Sequence, residues 1–218
     1  WNNMSITILD ANTIMPKTQE SSLPLSDLFR FTLLSKQERC VWLDTDIFLL
    51  KRLSDGNYVS SEHSNQTGAF KTKDRTKTAN IGVLSQTEKI IDWNKIIEKC
   101  KKSNMKQNSN CNSYMKIYQK EIHTNHFNLI AEPNAFCPIS WCYAKELYTE
   151  SDIIGNKFGI AQKRLDWILE NASSVHLWRN LFRKNKYEIK ENSVYTKLKE
   201  LVTTQYKICI PSYNRLEG

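Results

Sequence analysis

Short apolar runs alternate with longer stretches of helical period, and this alternation limits the possible folds more than any other property of the chain. SITIL (5–9), CVWLD (40–44), NIGVL (80–84), FNLI (127–130), SVHLW (174–178) and YKICI (206–210) each have strand length and composition, and IFLL (47–50) is a further short extended run. Between them lie helical patterns. Residues 26–36 set Leu25, Leu28, Phe29 and Leu33 on one stripe, with Ser26 placed as N-cap after a loop bracketed by Pro16 and Pro24. A helix over 87–101 aligns Ile90, Trp93, Ile97 and Cys100, and others are expected over 159–170 and 193–202. Residues 55–78, 102–113 and 133–141 read as loops, and 114–122 is ambiguous. The pattern predicts an α/β fold with a mixed or largely parallel sheet flanked by helices, and 218 residues suit one domain spanning 1–218. Ligands of such sheets bind beyond the carboxyl ends of strands.

Thirty-one basic against 23 acidic residues give a net charge of +8. The positives concentrate in KTKDRTK (71–77), KCKKSNMK (99–106) and RNLFRKNKYEIK (179–190), which attract phosphate-bearing partners. No zinc-knuckle, helix-turn-helix or aromatic-basic RNA pattern is present, so nucleic acid is not an expected partner. No apolar run approaches the ~18 residues of a membrane span, and no secretory leader is visible. The chain opens on Trp1 rather than Met, so a preceding segment is expected. Cys40, Cys100, Cys111, Cys137, Cys142 and Cys209 are irregularly spaced and form no C-x-x-C pair, which fits free thiols in a reducing, cytoplasmic setting.

The apolar run at 41–50, VWLDTDIFLL, is broken by Asp44 and Asp46. On a strand, residues two apart share a face, so both carboxylates are expected to point one way. Carboxylates that close repel one another, and a divalent cation relieves the repulsion; hard oxygen ligands suit Mn²⁺ or Mg²⁺. Two solvated aspartates at a strand-to-loop junction would read the same, as would the D-x-D of a phosphatase. The phosphatase pattern fails at Phe48 and lacks a downstream Asp-Asp pair. In SVHLW, His176 and Trp178 are expected on the face opposite Val175 and Leu177, and a neutral imidazole accepts Mn²⁺. Asp27 and Arg30, three apart on a helix, make a surface ion pair on the plain reading.

Set in order, these blocks resemble the glycosyltransferases with a DXD sugar-binding region. That group includes α-1,4-galactosyltransferases, fungal initiating mannosyltransferases and bacterial capsule and lipopolysaccharide enzymes. Ser26, Asp27, Arg30, Trp42, Asp44 and Asp46 match its S-D-x-x-R-Y and G-G-x-[YW]-x-D-x-D pattern, with Arg39 and Cys40 in place of the glycines. VHLWRN (175–180) followed by SVYTKLKEL (193–201), FCPISW (136–141) and TANIGVL (78–84) match further blocks. The resemblance implies a GT-A (Rossmann-like) fold and a metal-dependent hexosyltransferase using a UDP- or GDP-linked sugar, with retention of configuration. Asp44 and Asp46 would carry catalysis, with Asp44, Asp46 and His176 as metal ligands. Asp27, Arg30, Asp44, Asn80 and Trp178 would bind the donor. The acceptor would be a glycan or lipid-linked sugar in surface polysaccharide synthesis, with peripheral contact at the inner membrane face. No carboxylate stands out as a double-displacement nucleophile, Glu132 being a candidate by position only. A non-catalytic nucleotide- or glycan-binding homologue is the alternative, suggested by the lost glycines and the altered H-L-W-R-N.

Overall fold

The computed structural model describes residues 10–15, 22–64, 77–104, 113–157 and 160–205. The expected strands at 5–9 and 206–210, the basic stretch 71–76, and Cys111 and Cys209 lie outside these.

Helix α1 (Ser22–Lys36) leads into strands β1 (Cys40–Leu43) and β2 (Ile47–Leu49), followed by β3 (Tyr58–His63) and β4 (Lys77–Gln86). Helices α2 (Trp93–Asn104) and α3 (Ser113–Asn125) come next, then short α4 (Pro133–Phe136) and α5 (Ala144–Thr149). The chain continues through β5 (Asn156–Lys157), β6 (Ile160–Ala161), α6 (Leu165–Asn171), β7 (Ser174–His176), α7 (Arg179–Asn185) and α8 (Val194–Gln205). Three small sheets result, ordered β1–β4–β3, β2–β7 and β5–β6. The mixture of helices and strands is as expected. The named strands all pair antiparallel, with one isolated parallel bridge between Val59 and Ile130, so the expected parallel component is reduced to that bridge.

Two hydrophobic clusters hold the chain. In the first, α1, α2 and α3 pack on β4, and the rings of Phe31, Trp93 and Tyr118 stack on one another at 5.7–6.2 Å. In the second, Phe48 of β2 and Val175 of β7 meet Tyr148, Ile168, Val194 and Leu198 from α5, α6 and α8. Each large side chain buried this way contributes about 1.5–3 kcal/mol.

Several expectations change. Ser26 is not a cap, because α1 begins at Ser22 with Pro24 in its first turn, where a missing N–H costs nothing. The buried residues of α1 are Leu28, Arg30, Phe31 and Leu34, while Leu25, Phe29 and Leu33 are half-buried; the apolar arc is wide, and packing selects its other edge. Residues 58–63 are a strand rather than loop. Ser60 and Ser61 are buried there because their hydroxyls find partners: Ser60 Oγ accepts from the Val83 amide at 3.0 Å and Ser61 Oγ donates to Ala131 O at 2.5 Å. FNLI forms a 3₁₀ turn over Phe127–Leu129, and only Ile130 reaches the sheet. Residues 133–136 are helical, and 114–122 lies within α3. The 87–101 helix starts only at Trp93, which leaves Ile90 exposed, and the 159–170 helix starts at Leu165, after a two-strand ribbon. Described cysteines Cys40, Cys100, Cys137 and Cys142 are free thiols.

Candidate functional site

Strand β1 stops at Leu43 because the next residues turn. The Asp44 amide still donates to Gly82 O of β4 at 2.8 Å, and the Ile47 amide closes back on Asp44 O at 3.0 Å. Asp44 and Asp46 are therefore residues of a tight turn, and the shared-face expectation from strand geometry does not apply. They head two different networks.

Asp44 borders the first cluster through Trp42, which packs against it. Its Oδ1 accepts from the Trp42 indole N–H at 2.8 Å and lies 3.0 Å from Arg30 Nη2. The Arg30 guanidinium sits over the Trp42 ring, 5.0 Å from its centroid. Arg30 Nη1 is 3.8 Å from Asp27 Oδ1, so the pair expected at the surface is instead nearly enclosed. Burial pushes the Asp27 carboxyl up from 3.8 to about 6; Arg30 opposes this and the Asp44 charge adds to it. Asn80 Oδ1 accepts from the Gly82 amide at 2.6 Å, which turns the side chain toward the same corner. A Cβ on Gly82 would stand 3.0 Å from Asn80 Oδ1 and 3.8 Å from Asp44 Oδ2.

Asp46 borders the second cluster, whose Val175 and Leu177 flank its partner His176. Its Oδ2 lies 3.2 Å from His176 Nε2, across 130 residues of sequence, and accepts from the Arg179 amide at 3.1 Å. The backbone follows suit, since Asp46 O accepts from the Leu177 amide at 2.9 Å. Burial would raise the Asp46 carboxyl, but the hydrogen bonds from His176 and Arg179 outweigh it and hold the group below the usual carboxylate range. The His176 ring stacks on Trp178, centroids 3.9 Å apart. Trp178 lies beyond β7 in the left-handed region, φ 52°, which a bulky residue adopts only under constraint. Its indole N–H anchors to Ile139 O at 2.8 Å. His176 and Trp178 are thus brought together, as ring on ring rather than as alternate residues of a strand.

The turn joins these networks, so all seven expected residues lie at one place or within one side chain of it. Glu132 does not join them; it pairs with Lys77 at 2.8 Å. Sequence reasoning did not assign roles to Gly82, the Arg179 amide or the Trp42 indole, although Trp42 stood two residues before Asp44 in the matched motif. It also passed over Glu62, whose carboxyl is raised by burial against an opposing effect of His176. The buried Cys137 thiol is pushed well up by burial and by the nearby charges of Glu62, Asp46 and Asp44.

Asp46 and His176 offer an oxygen and a nitrogen of the kinds a divalent cation accepts, and His176 Nδ1 is buried without a partner. No group of three His, Cys, Asp or Glu side chains converges as a cation cage among the described residues. The donor set thus fits an ion that takes its remaining ligands from substrate and water, the usual habit of Mg²⁺.

Residues 94–202 match the family model of the alpha 1,4-glycosyltransferase conserved region. That is half of the chain, and the chain belongs to this family; it is a glycosyltransferase. The matched segment includes His176 and Trp178, whereas Asp27, Arg30, Asp44, Asp46 and Asn80 precede it. No curated protein and no solved structure matches the chain. Among the described residues no helix is long and apolar enough to cross a membrane.

Proposed function

We propose that this glycosyltransferase moves a hexose from a UDP- or GDP-linked sugar to a glycan or lipid-linked acceptor, with retention, on a GT-A-type scaffold. The observation that carries this reading is the meeting of Asp46 with His176, one from the D-T-D turn and one from the family-matched segment. Mn²⁺ or Mg²⁺ would be held by Asp46 and His176, and would supply Lewis-acid neutralisation of the leaving diphosphate. Asp44 has one oxygen taken by Trp42 and Arg30, which favours its other oxygen for ribose or sugar hydroxyls over a place in the metal shell. Arg30 holds that carboxylate in place, and Asp27 and Asn80 border it. Trp178 holds the His176 ring in place by stacking. The Arg179 amide fixes the Asp46 rotamer before substrate arrives. A cytoplasmic role in surface polysaccharide synthesis accommodates the basic charge.

Calorimetry of UDP and GDP with and without Mn²⁺ tests the site, alongside Asp46→Ala and His176→Ala. Metal-dependent binding lost in both variants is the expected result. Binding without metal that survives both substitutions would remove the proposed site. Binding with no turnover of any nucleotide-sugar would favour a homologue that has kept the pocket but lost transfer. Family membership argues against the phosphatase alternative, and hydrolysis of simple phosphate esters would revive it.

A further inference from the structure

Of the three basic stretches, one lies mostly outside the described residues and one is largely neutralised. In α2, Lys95 and Lys99 bind Glu121 at 2.7 and 2.6 Å, and Lys102 faces Glu98. The third stretch is different. Arg179, Arg183, Lys184, Lys186 and Lys190 are all exposed, and none of them forms an ion pair among the described residues. Glu188 and Glu191 are the acids between 179 and 191. Ile189 stands exposed among these cations, 44% accessible. The platform beneath is firm: Phe182 packs on Tyr148 with ring centroids 4.4 Å apart, and the Lys190 amide donates to Tyr148 O at 3.0 Å. Its first residue, Arg179, gives its amide to Asp46, so the basic surface begins at the site itself.

We infer that α7 and the segment through Lys190 form a docking surface for an anionic lipid bilayer, which brings a membrane-borne acceptor to the Asp46–His176 corner. Unpaired cations complement phosphate headgroups, and an exposed isoleucine between them suits the headgroup boundary rather than a wholly polar polyanion. The delivery of acceptor rests on the proposed transfer reaction; the docking does not.

Cosedimentation with phosphatidylcholine vesicles, with and without phosphatidylglycerol, tests it. The intact chain is expected to bind only the anionic vesicles, and less at high salt. R183Q/K184Q/K190Q, with its melting temperature checked against the parent, should bind about 100-fold more weakly, at roughly fivefold per cation. It should still transfer sugar to a soluble acceptor at the parent rate. I189D should weaken vesicle binding with the charges intact. Equal binding to neutral vesicles, parent-like binding by the triple variant, or retention only on soluble heparin would each overturn the docking surface. Asp46→Ala should lose transfer and keep vesicle binding; if it kept both, the reaction assignment would fall while the docking stood.

Discussion

Asp27→Asn separates stability from function at this site. In the folded chain the Asp27 carboxyl keeps its proton up to about pH 6, whereas in the unfolded chain it gives it up near 3.8. Between those values the folded chain binds more protons. Stability from this group is therefore fully present below the lower value and is lost as pH rises through the upper one. A difference of roughly two units, at about 1.4 kcal/mol each, amounts to about 3 kcal/mol of destabilisation at pH 7. The Asp27 side chain is only 16% exposed, so solvent screens little of this. Asparagine keeps the shape and needs no ionisation. The variant should therefore melt above the parent at pH 7 by about 6–12 °C, at about 2–4 °C per kcal/mol for a chain of this size. The gap should close toward pH 4. Thermal melts by circular dichroism from pH 4 to 8 measure it. A variant that melts at or below the parent at pH 7, or a gap independent of pH, would refute the reasoning. Donor binding should weaken in the same variant, which is the expected trade between a charged site and a stable one.

Glu121 behaves in the opposite sense. Burial would raise its carboxyl, but hydrogen bonds from Lys95 and Lys99 hold it down at about 2, so its stabilisation exists above 4.5 and is lost as pH falls toward 2. Glu121→Gln should cost about 1–2 kcal/mol in urea unfolding at pH 7, allowing for half-exposed lysines, and nothing near pH 2. Gly82→Ala places a methyl 3.0 Å from Asn80 Oδ1 and 3.2 Å from Ile47 Cδ1. It should lose about 1–3 kcal/mol and weaken nucleotide binding; unchanged melting and unchanged calorimetry would refute the close packing of turn on strand. Trp42→Phe keeps a ring beneath Arg30 but removes the N–H held by Asp44. A loss of about 1.5–3 kcal/mol in urea unfolding is expected, with a raised KM for donor; Trp42→Leu should do more on both counts.

The sequence was most legible where pattern and environment agreed. β1 is legible as an apolar run of strand length, although Val41 and Leu43 face outward, and Ile47–Leu49 is bounded by the turn that its two aspartates announce. The site residues were legible as ordered blocks, because the turn and β7 each keep their chemistry within a few positions. What stayed hidden was whatever depends on a distant partner. Nothing in YVSSEH signals a buried strand until Ala131 and Val83 satisfy its serines. FNLI has the spelling of a strand, yet Asn128 sits in a turn and only Ile130 bridges to Val59. The rotation of Trp178 onto His176 needed a positive φ that no residue other than glycine would have suggested.

The register of β2 against β7 has a consequence for synthesis. Ile47, Phe48 and Leu49 pair with His176, Val175 and Ser174, and β2 has no other described strand partner. On the ribosome, the D-T-D turn emerges long before the strand that completes it. β1 can find β4 after about forty residues, but β2 must wait for about 130. Closing the longer loop costs little more free energy, roughly 0.6 kcal/mol per doubling, so the delay is set by translation rather than by thermodynamics. A chain arrested before residue 174 would already contain Arg30 and Trp42, the partners of Asp44. Asp46 would still lack its imidazole, and an apolar triplet would be open to chaperones. Residues 174–176 thus decide when the reactive corner comes into being.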